Sequence, residues 1–251
     1  SLHDALPIYL LCGIGGFSLS PKSKLNARKL ASELLTALED RGYMASGFAY
    51  HHEGESGVFK QAITGSQLSM KKMPRKASTV IVHTRLATHG STSDNRNNHP
   101  VLSPNEQIAL VHNGVIYNHR AVRRSLKSKI KFEVDTAVIP AILQDYGTAD
   151  RFDELDGDAA VAWLDKDDLG TLHLARISHS PTVIAQLPDG SFVFASTEEL
   201  LWRVLIKMDL MPDFMTTLQE RQYIRIRGGV IIQSEWLPQP KYEDWYDRGY
   251  Y

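Results

Sequence analysis

The chain has 251 residues, 43% of them hydrophobic and 23% charged, with a formal net charge of −1. This is enough chain for one large domain or two small ones with a sizeable core, and the composition is that of an ordinary soluble globular protein. Near-neutrality gives no bulk attraction to nucleic acid or an anionic membrane, no apolar run approaches the ~20 residues of a membrane span, and a single cysteine, Cys12, excludes an internal disulfide and a cysteine-based zinc site.

The start, SLHDALPIYLL, has no basic region and carries His3, Asp4 and Pro7, so it reads poorly as a secretory signal. The expectation is a cytoplasmic protein. Residues 13–19 have β character and end at Ser20-Pro21. Over 25–38 the apolar positions Leu30, Leu34, Leu35 and Leu38 form a helical stripe, stopped by Arg41-Gly42. Strands are predicted at 45–51 and 56–64. The β-branched run STVIVH at 78–83 predicts a buried strand. Residues 87–104 are rich in Ser, Thr, Asn, Asp, His and Pro, and long ordered loops of this kind are often functional. A strand at 108–112 is followed by Asn113-Gly114, a strong turn dipeptide.

Helices are predicted at 118–126 and 136–146. Four strands follow, at 159–164, 171–177, 182–186 and 192–195, with a hairpin at Asp189-Gly190. Ser196 with Glu199 reads as a capping box opening a helix over 197–206. The last strands are predicted near 222–227 and 230–233. Hairpins outnumber helix crossovers, which predicts an α+β domain dominated by antiparallel sheet. The tail, 236–251, carries six aromatics and two prolines and does not read as a core element.

Unusual polar residues concentrate in four stretches: CGIGGF from Cys12, HTRLATHG from His83, VHNGVIYN from Val111 and EVDTAVI from Glu133. Taken singly, none is specific. A lone buried cysteine is most often a small hydrophobe. His83 and His89 are six apart and match no zinc-protease spacing. Arg85 would pair with any carboxylate, Asn113-Gly114 would serve as a hairpin turn, and Asp135 would cap the helix after it.

Taken together and in order, they resemble one family. CGIGGF, LEDRGYMASGFAY at 38–50, HTRLATHG at 83–90, NHP at 98–100, HNGVIYNH at 112–119, DTAVI at 135–139, GDAAVAWLD at 157–165 and ASTEEL at 195–200 are similar to the class II glutamine amidotransferases. These are N-terminal-nucleophile glutaminase domains of the kind found at the front of glucosamine-6-phosphate synthase. The resemblance runs from Cys12 to about Gln233. It implies a four-layer αββα sandwich of two mainly antiparallel sheets over 12–235. Residues 1–11 would be an extension and 236–251 a tail.

The resemblance also implies roles. Cys12 is the nucleophile, with its own free α-amine as base. Asn113 and the Gly114 N–H hold the oxyanion. Arg85 takes the α-carboxylate of L-glutamine and Asp135 its α-ammonium. Thr88, His89 and Gly90 line the pocket, and Arg41, Asn98 and His99 lie behind. No cofactor and no metal are expected, and no nucleic-acid or membrane partner. The ammonia is expected to serve a synthase subunit in trans, unless the chain is a free-standing amidohydrolase. A related hydrolase of another γ-glutamyl amide is the alternative.

Three positions depart from the family pattern: Leu86 where an aromatic is common, Ala137 in DTA, and Met44 where Asp is frequent. Residues 1–11 must be absent from a working enzyme of this type. They read either as a propeptide or, the favoured expectation, as sequence upstream of a native start at position 11, since SLHDALPI resembles translated sequencing adapter.

Overall fold

The structure, a computed structural model, describes residues 12–87 and 89–241. Two antiparallel sheets lie face to face. The first has seven strands, in the order β11 (Phe214–Thr217), β9 (Val183–Gln186), β10 (Phe192–Ala195), β1 (Gly13–Ser18), β4 (Thr79–Arg85), β2 (Ala45–His52) and β3 (Glu55–Gln61). The second has six, in the order β13 (Val230–Trp236), β12 (Gln222–Arg227), β8 (Thr171–Arg176), β7 (Gly157–Asp165), β6 (Ile108–Ile116) and β5 (Val101–Leu102). Helices α1 (Ala27–Leu38) and α4 (Glu198–Lys207) cover the first sheet, and α2 (His119–Ser125) and α3 (Val138–Tyr146) cover the second.

Alternation along the strands builds these four layers. In β4, Val80 and Val82 pack against α1, while Ile81 faces the second sheet. In β6, Ala109 and Val111 face the first sheet, while Ile108 and Leu110 pack toward α3. On α1 the predicted stripe Leu30, Leu34, Leu35 and Leu38 is fully buried. Each such side chain contributes ~1.5–3 kcal/mol of transfer free energy. The helix begins at Ala27 because Asn26 caps it, its side chain accepting from the Arg28 and Lys29 amides.

Several expectations are corrected. Asn113-Gly114 is no turn. Strand β6 runs straight through it, with Asn113 opposite Ala160 and Gly114 opposite Ala159 on β7. The glycine is there for closeness: at φ 140°, a Cβ on Gly114 would lie 1.7 Å from the Asp158 carbonyl oxygen. The cap of α4 is Thr197, which accepts from the Leu200 amide. Ser196 instead binds the β1 backbone, accepting from the Ile14 amide at 2.9 Å. Asp135 does not cap α3. It opens a 3-10 turn, Asp135–Ala137, and its Oδ2 accepts from the Ile116 amide at 2.8 Å.

Strands β5 and β11 carry no alternation long enough to reveal them in the sequence. The expected tail begins inside structure, because Trp236 ends β13 and Leu237 is buried beneath the second sheet. The rest of its aromatics, from Tyr242 on, lie outside the described residues, as do residues 1–11. Among the described residues no helix is long and apolar enough to cross a membrane.

Candidate active site

The site lies at one end of the sandwich, where the start of β1 and the end of β4 meet the second half of β6. Strand β1 runs antiparallel to β4, with Gly13 opposite Thr84. The next position outward brings Cys12, at the start of β1, beside Arg85, at the end of β4. Cys12 shares the parity of Ile14, and Arg85 that of Ile81, so both belong to the inner face between the sheets. Asn113 shares the parity of Val111 and reaches the same space from the second sheet.

Cys12 is partly buried, and its thiol donates to the Leu86 carbonyl at 3.4 Å. Burial pushes the thiol up to about 11, against the pull of the Arg85 and Arg41 guanidinium groups and with a further push from Asp135. The resting group is therefore the neutral thiol at physiological pH, and it needs a base before it can act as a nucleophile.

Arg41 ties the two sheets together here. Its Nε donates to the Cys12 carbonyl at 3.1 Å, and its Nη2 to the Asn113 Oδ1 at 3.4 Å. Asn113 is fully buried. With its oxygen on Arg41, its Nδ2 has no hydrogen-bond partner among the described residues. A buried donor left unpaired costs about 1–3 kcal/mol, and a catalytic role is one of the reasons a fold keeps such a group.

Arg85 is 2% exposed, yet no carboxylate among the described residues forms an ion pair with it. Its Nη1 donates to the Asn98 Oδ1 at 2.8 Å, and its Nη2 to the Gly90 carbonyl at 2.9 Å and to the His89 carbonyl. Asp135 is also buried, and it interacts electrostatically with Arg85 and Cys12. A thiol, a guanidinium and a carboxylate thus converge on one desolvated space.

Of the residues singled out from the sequence, Cys12, Arg85, Asn113, Gly114 and Asp135 come together here, and Arg41 and Asn98 hold them. His89 and Gly90 enter through their carbonyls, and the His89 ring meets His119 edge to face at 5.5 Å. Thr88 lies outside the described residues. His83 and His89 diverge. His83 is buried, stacked on His99 at 3.9 Å between ring centres and bonded to the His112 carbonyl at 3.0 Å, whereas His89 is at the surface. Lys60, bonded to the segment beside the site, had no sequence signal, because it is an ordinary residue type in a plain strand, and Thr136, inside the DTAVI motif, was given no role although it meets both His99 and His112.

A family model described as a glutamine amidotransferase domain matches residues 69–248. The chain belongs to the class II glutamine amidotransferase family. Among curated relatives, the glutamine–fructose-6-phosphate aminotransferase (isomerizing) of Clostridium acetobutylicum is 30% identical over 237 residues, spanning 90% of this chain and 36% of that protein. The enzyme of the same name from Geobacillus kaustophilus is 33% identical over 240 residues, with the same coverage. The chain thus spans about a third of the curated relatives it matches. Among solved structures, the glutamine phosphoribosylpyrophosphate amidotransferase of B. subtilis superposes with a TM-score of 0.72 at 19% identity, over 90% of this chain and 49% of that one. That likeness bears on the fold alone. It agrees with the expected sandwich of two antiparallel sheets.

Proposed function

We propose that this amidotransferase domain hydrolyses the side-chain amide of L-glutamine, giving glutamate and ammonia. The observation that carries the reading is Asn113, buried and joined to Cys12 through Arg41, with its oxygen clamped by that guanidinium and its N–H₂ without a partner among the described residues. A positioned, unpaired donor next to a thiol is what a tetrahedral oxyanion requires.

The chemistry follows from the groups present. The Cys12 thiol gives its proton to its own free α-amine as the sulfur attacks the amide carbon. The carbonyl oxygen takes the negative charge, held by the Asn113 Nδ2 and the Gly114 N–H. The oxyanion collapses, the C–N bond breaks, and nitrogen leaves as ammonia with the proton from the α-amine. Water then adds to the thioester, giving a proton to the α-amine as a second oxyanion forms; that oxyanion collapses, the C–S bond breaks, and the amine returns the proton to the Cys12 sulfur as glutamate leaves.

Reference values of ~8 for the amine and ~8.5 for a thiol suggest nearly balanced proton transfer. In the chain where Leu11 acylates that nitrogen, burial pushes the thiol up to about 11, so it keeps its proton at neutral pH and lacks the adjacent base. In this reading Arg85 binds the α-carboxylate through its guanidinium and Asp135 the α-ammonium, with backbone groups of His89 and Gly90 beside Arg85.

The ammonia passes to a synthase, in trans or as part of a longer protein, and the reaction belongs to the cytoplasm. The test is a glutaminase assay of protein beginning at Cys12, beside the 251-residue chain, Cys12→Ala and Arg85→Gln. Glutamate and ammonia should appear in equal amounts from the first protein and not from the 251-residue chain or Cys12→Ala, while Arg85→Gln starting at Cys12 should keep turnover with a raised KM. Faster turnover of another γ-glutamyl amide than of glutamine would redirect the reading to that substrate class, and full activity of Cys12→Ala would end it.

A further inference from the structure

Lys60 lies on β3, opposite Gly47 of β2. Its Nζ donates to the Asn98 carbonyl at 2.6 Å and the Pro100 carbonyl at 2.8 Å. Its own carbonyl accepts from the Asn95 side chain at 3.1 Å. The segment 95–100 can lie this close because position 47 has no side chain: a Cβ there would be 2.2 Å from the His99 carbonyl oxygen. Lys60 and Gly47 together pin this segment across the first sheet.

The pinned segment carries Asn98. Its Oδ1 accepts from Arg85, and its Nδ2 donates to the Thr92 carbonyl at 2.8 Å and the Asn95 Oδ1 at 3.1 Å. The path from Lys60 to the guanidinium is therefore two hydrogen bonds and one side chain long. Charge-assisted bonds to carbonyls are among the stronger fixings available to a loop. No step of the proposed chemistry uses Lys60.

We propose that Lys60 is a positioning residue for glutamine binding: through the 95–100 segment and Asn98 it sets the direction in which Arg85 presents its guanidinium to the substrate carboxylate. The proposal rests on the reading of Arg85 as the carboxylate donor. Small errors in the angle of a bidentate donor weaken its grip on a carboxylate without touching the reacting atoms. Lys60 therefore bears on KM and leaves kcat nearly alone.

The charge of Lys60 is itself poised. Burial, and next the Arg85 charge, bring it down to about 8, with Asp94 opposing. It borders a groove of about 350 Å³ that also presents Arg96, Glu106, Lys129 and Lys131, and the buried His83 and His99 feel its field from the other side. Above that pH the ammonium becomes an amine and its bonds to the two carbonyls weaken.

The test compares Lys60→Met, Lys60→Arg and Arg85→Gln with the parent, each with a free Cys12 amine, by steady-state kinetics on glutamine from pH 7 to 9.5. Lys60→Met should raise KM about ten-fold with kcat within about two-fold, the loss expected for one charged hydrogen-bonding group. Lys60→Arg keeps a charge and two donors. Its KM should match the parent at pH 7 and fall below it at pH 9, where the parent lysine has lost its charge.

An unchanged KM in Lys60→Met, a kcat that falls as much as KM rises, or parallel KM–pH curves for the parent and Lys60→Arg would overturn the proposal. If Lys60→Met does not fold, the pH comparison with Lys60→Arg decides alone. A normal KM in Arg85→Gln would instead overturn the reading of Arg85, so the two failures are told apart.

Discussion

Arg41 grips Asn113 by its oxygen and Cys12 by its carbonyl, with donor–acceptor distances of 3.4 and 3.1 Å. One guanidinium, entering from the turn after α1, thereby sets both the backbone at the nucleophile and the way the asparagine amide faces. An amide has one oxygen and one nitrogen. Committing the oxygen to a cation turns the nitrogen outward as a donor.

Asn113→Asp should expose this arrangement. The carboxylate keeps an oxygen for Arg41 and removes the N–H donor. We expect kcat to fall on the order of 10²–10³, with KM within a few-fold. Steady-state kinetics on glutamine measure both, and a kcat within three-fold of the parent would remove Asn113 from the oxyanion site.

Cys12 supplies a test that needs no turnover. With its nitrogen acylated by Leu11, the thiol has no adjacent base, and burial holds it at about 11. At pH 8 roughly one thiol in a thousand is ionised. Iodoacetamide should therefore label the 251-residue chain slowly, with a rate still rising at pH 10. The protein with a free Cys12 amine should label faster at pH 8. Intact mass against time reads both, and equal rates would count against the amine as base.

Gly114→Ala should break the fold locally as well as the site. A Cβ 1.7 Å from the Asp158 carbonyl oxygen forces β6 and β7 apart at a position whose φ of 140° already disfavours alanine. We expect a loss of about 3 kcal/mol or more, or roughly 6–12 °C in Tm. Thermal unfolding decides it, and a Tm within 2 °C of the parent would show that the strands yield there.

The buried histidines predict sensitivity to acid. His83, His99 and His112 are buried, and desolvation holds all three below the ordinary histidine range. The folded state keeps them neutral while the unfolded chain protonates them below ~6.5. Their stabilisation is thus complete above that pH and is lost as pH falls through it. Each contributes a slope of up to about 1.4 kcal/mol per pH unit. Urea unfolding between pH 5 and 7.5 should show stability rising with pH, and His99→Phe should flatten the slope by about a fifth, because His51 and His173 are buried and lowered in the same way. An unchanged slope in that variant would mean His99 is protonated in the fold.

Much of this protein is written locally, and that part was legible in the sequence. The α1 stripe, the β-branched β4 and the β9–β10 hairpin follow from periodicity and turn chemistry over a few residues. The motif order around Cys12, Arg85, Asn113 and Asp135 identified the family and a sandwich of two antiparallel sheets. Local signals misled where a distant partner overrode them. Asn113-Gly114 has the composition of a turn, but nine residues of β7 complete its backbone bonds, and a strand with a full partner does not turn. Ser196 has the spacing of a cap, but the Ile14 amide, 182 positions away, claims its hydroxyl. Asp135 sits where a cap would sit and spends its carboxylate on Ile116.

The tertiary structure alone decided which polar groups are paired. Arg41 on the Asn113 oxygen, and Lys60 on the carbonyls that carry Asn98, are contacts between elements tens of residues apart. No spacing rule encodes such contacts. Whether a buried donor is satisfied or waiting depends on which neighbours packing brings within about 3 Å of it.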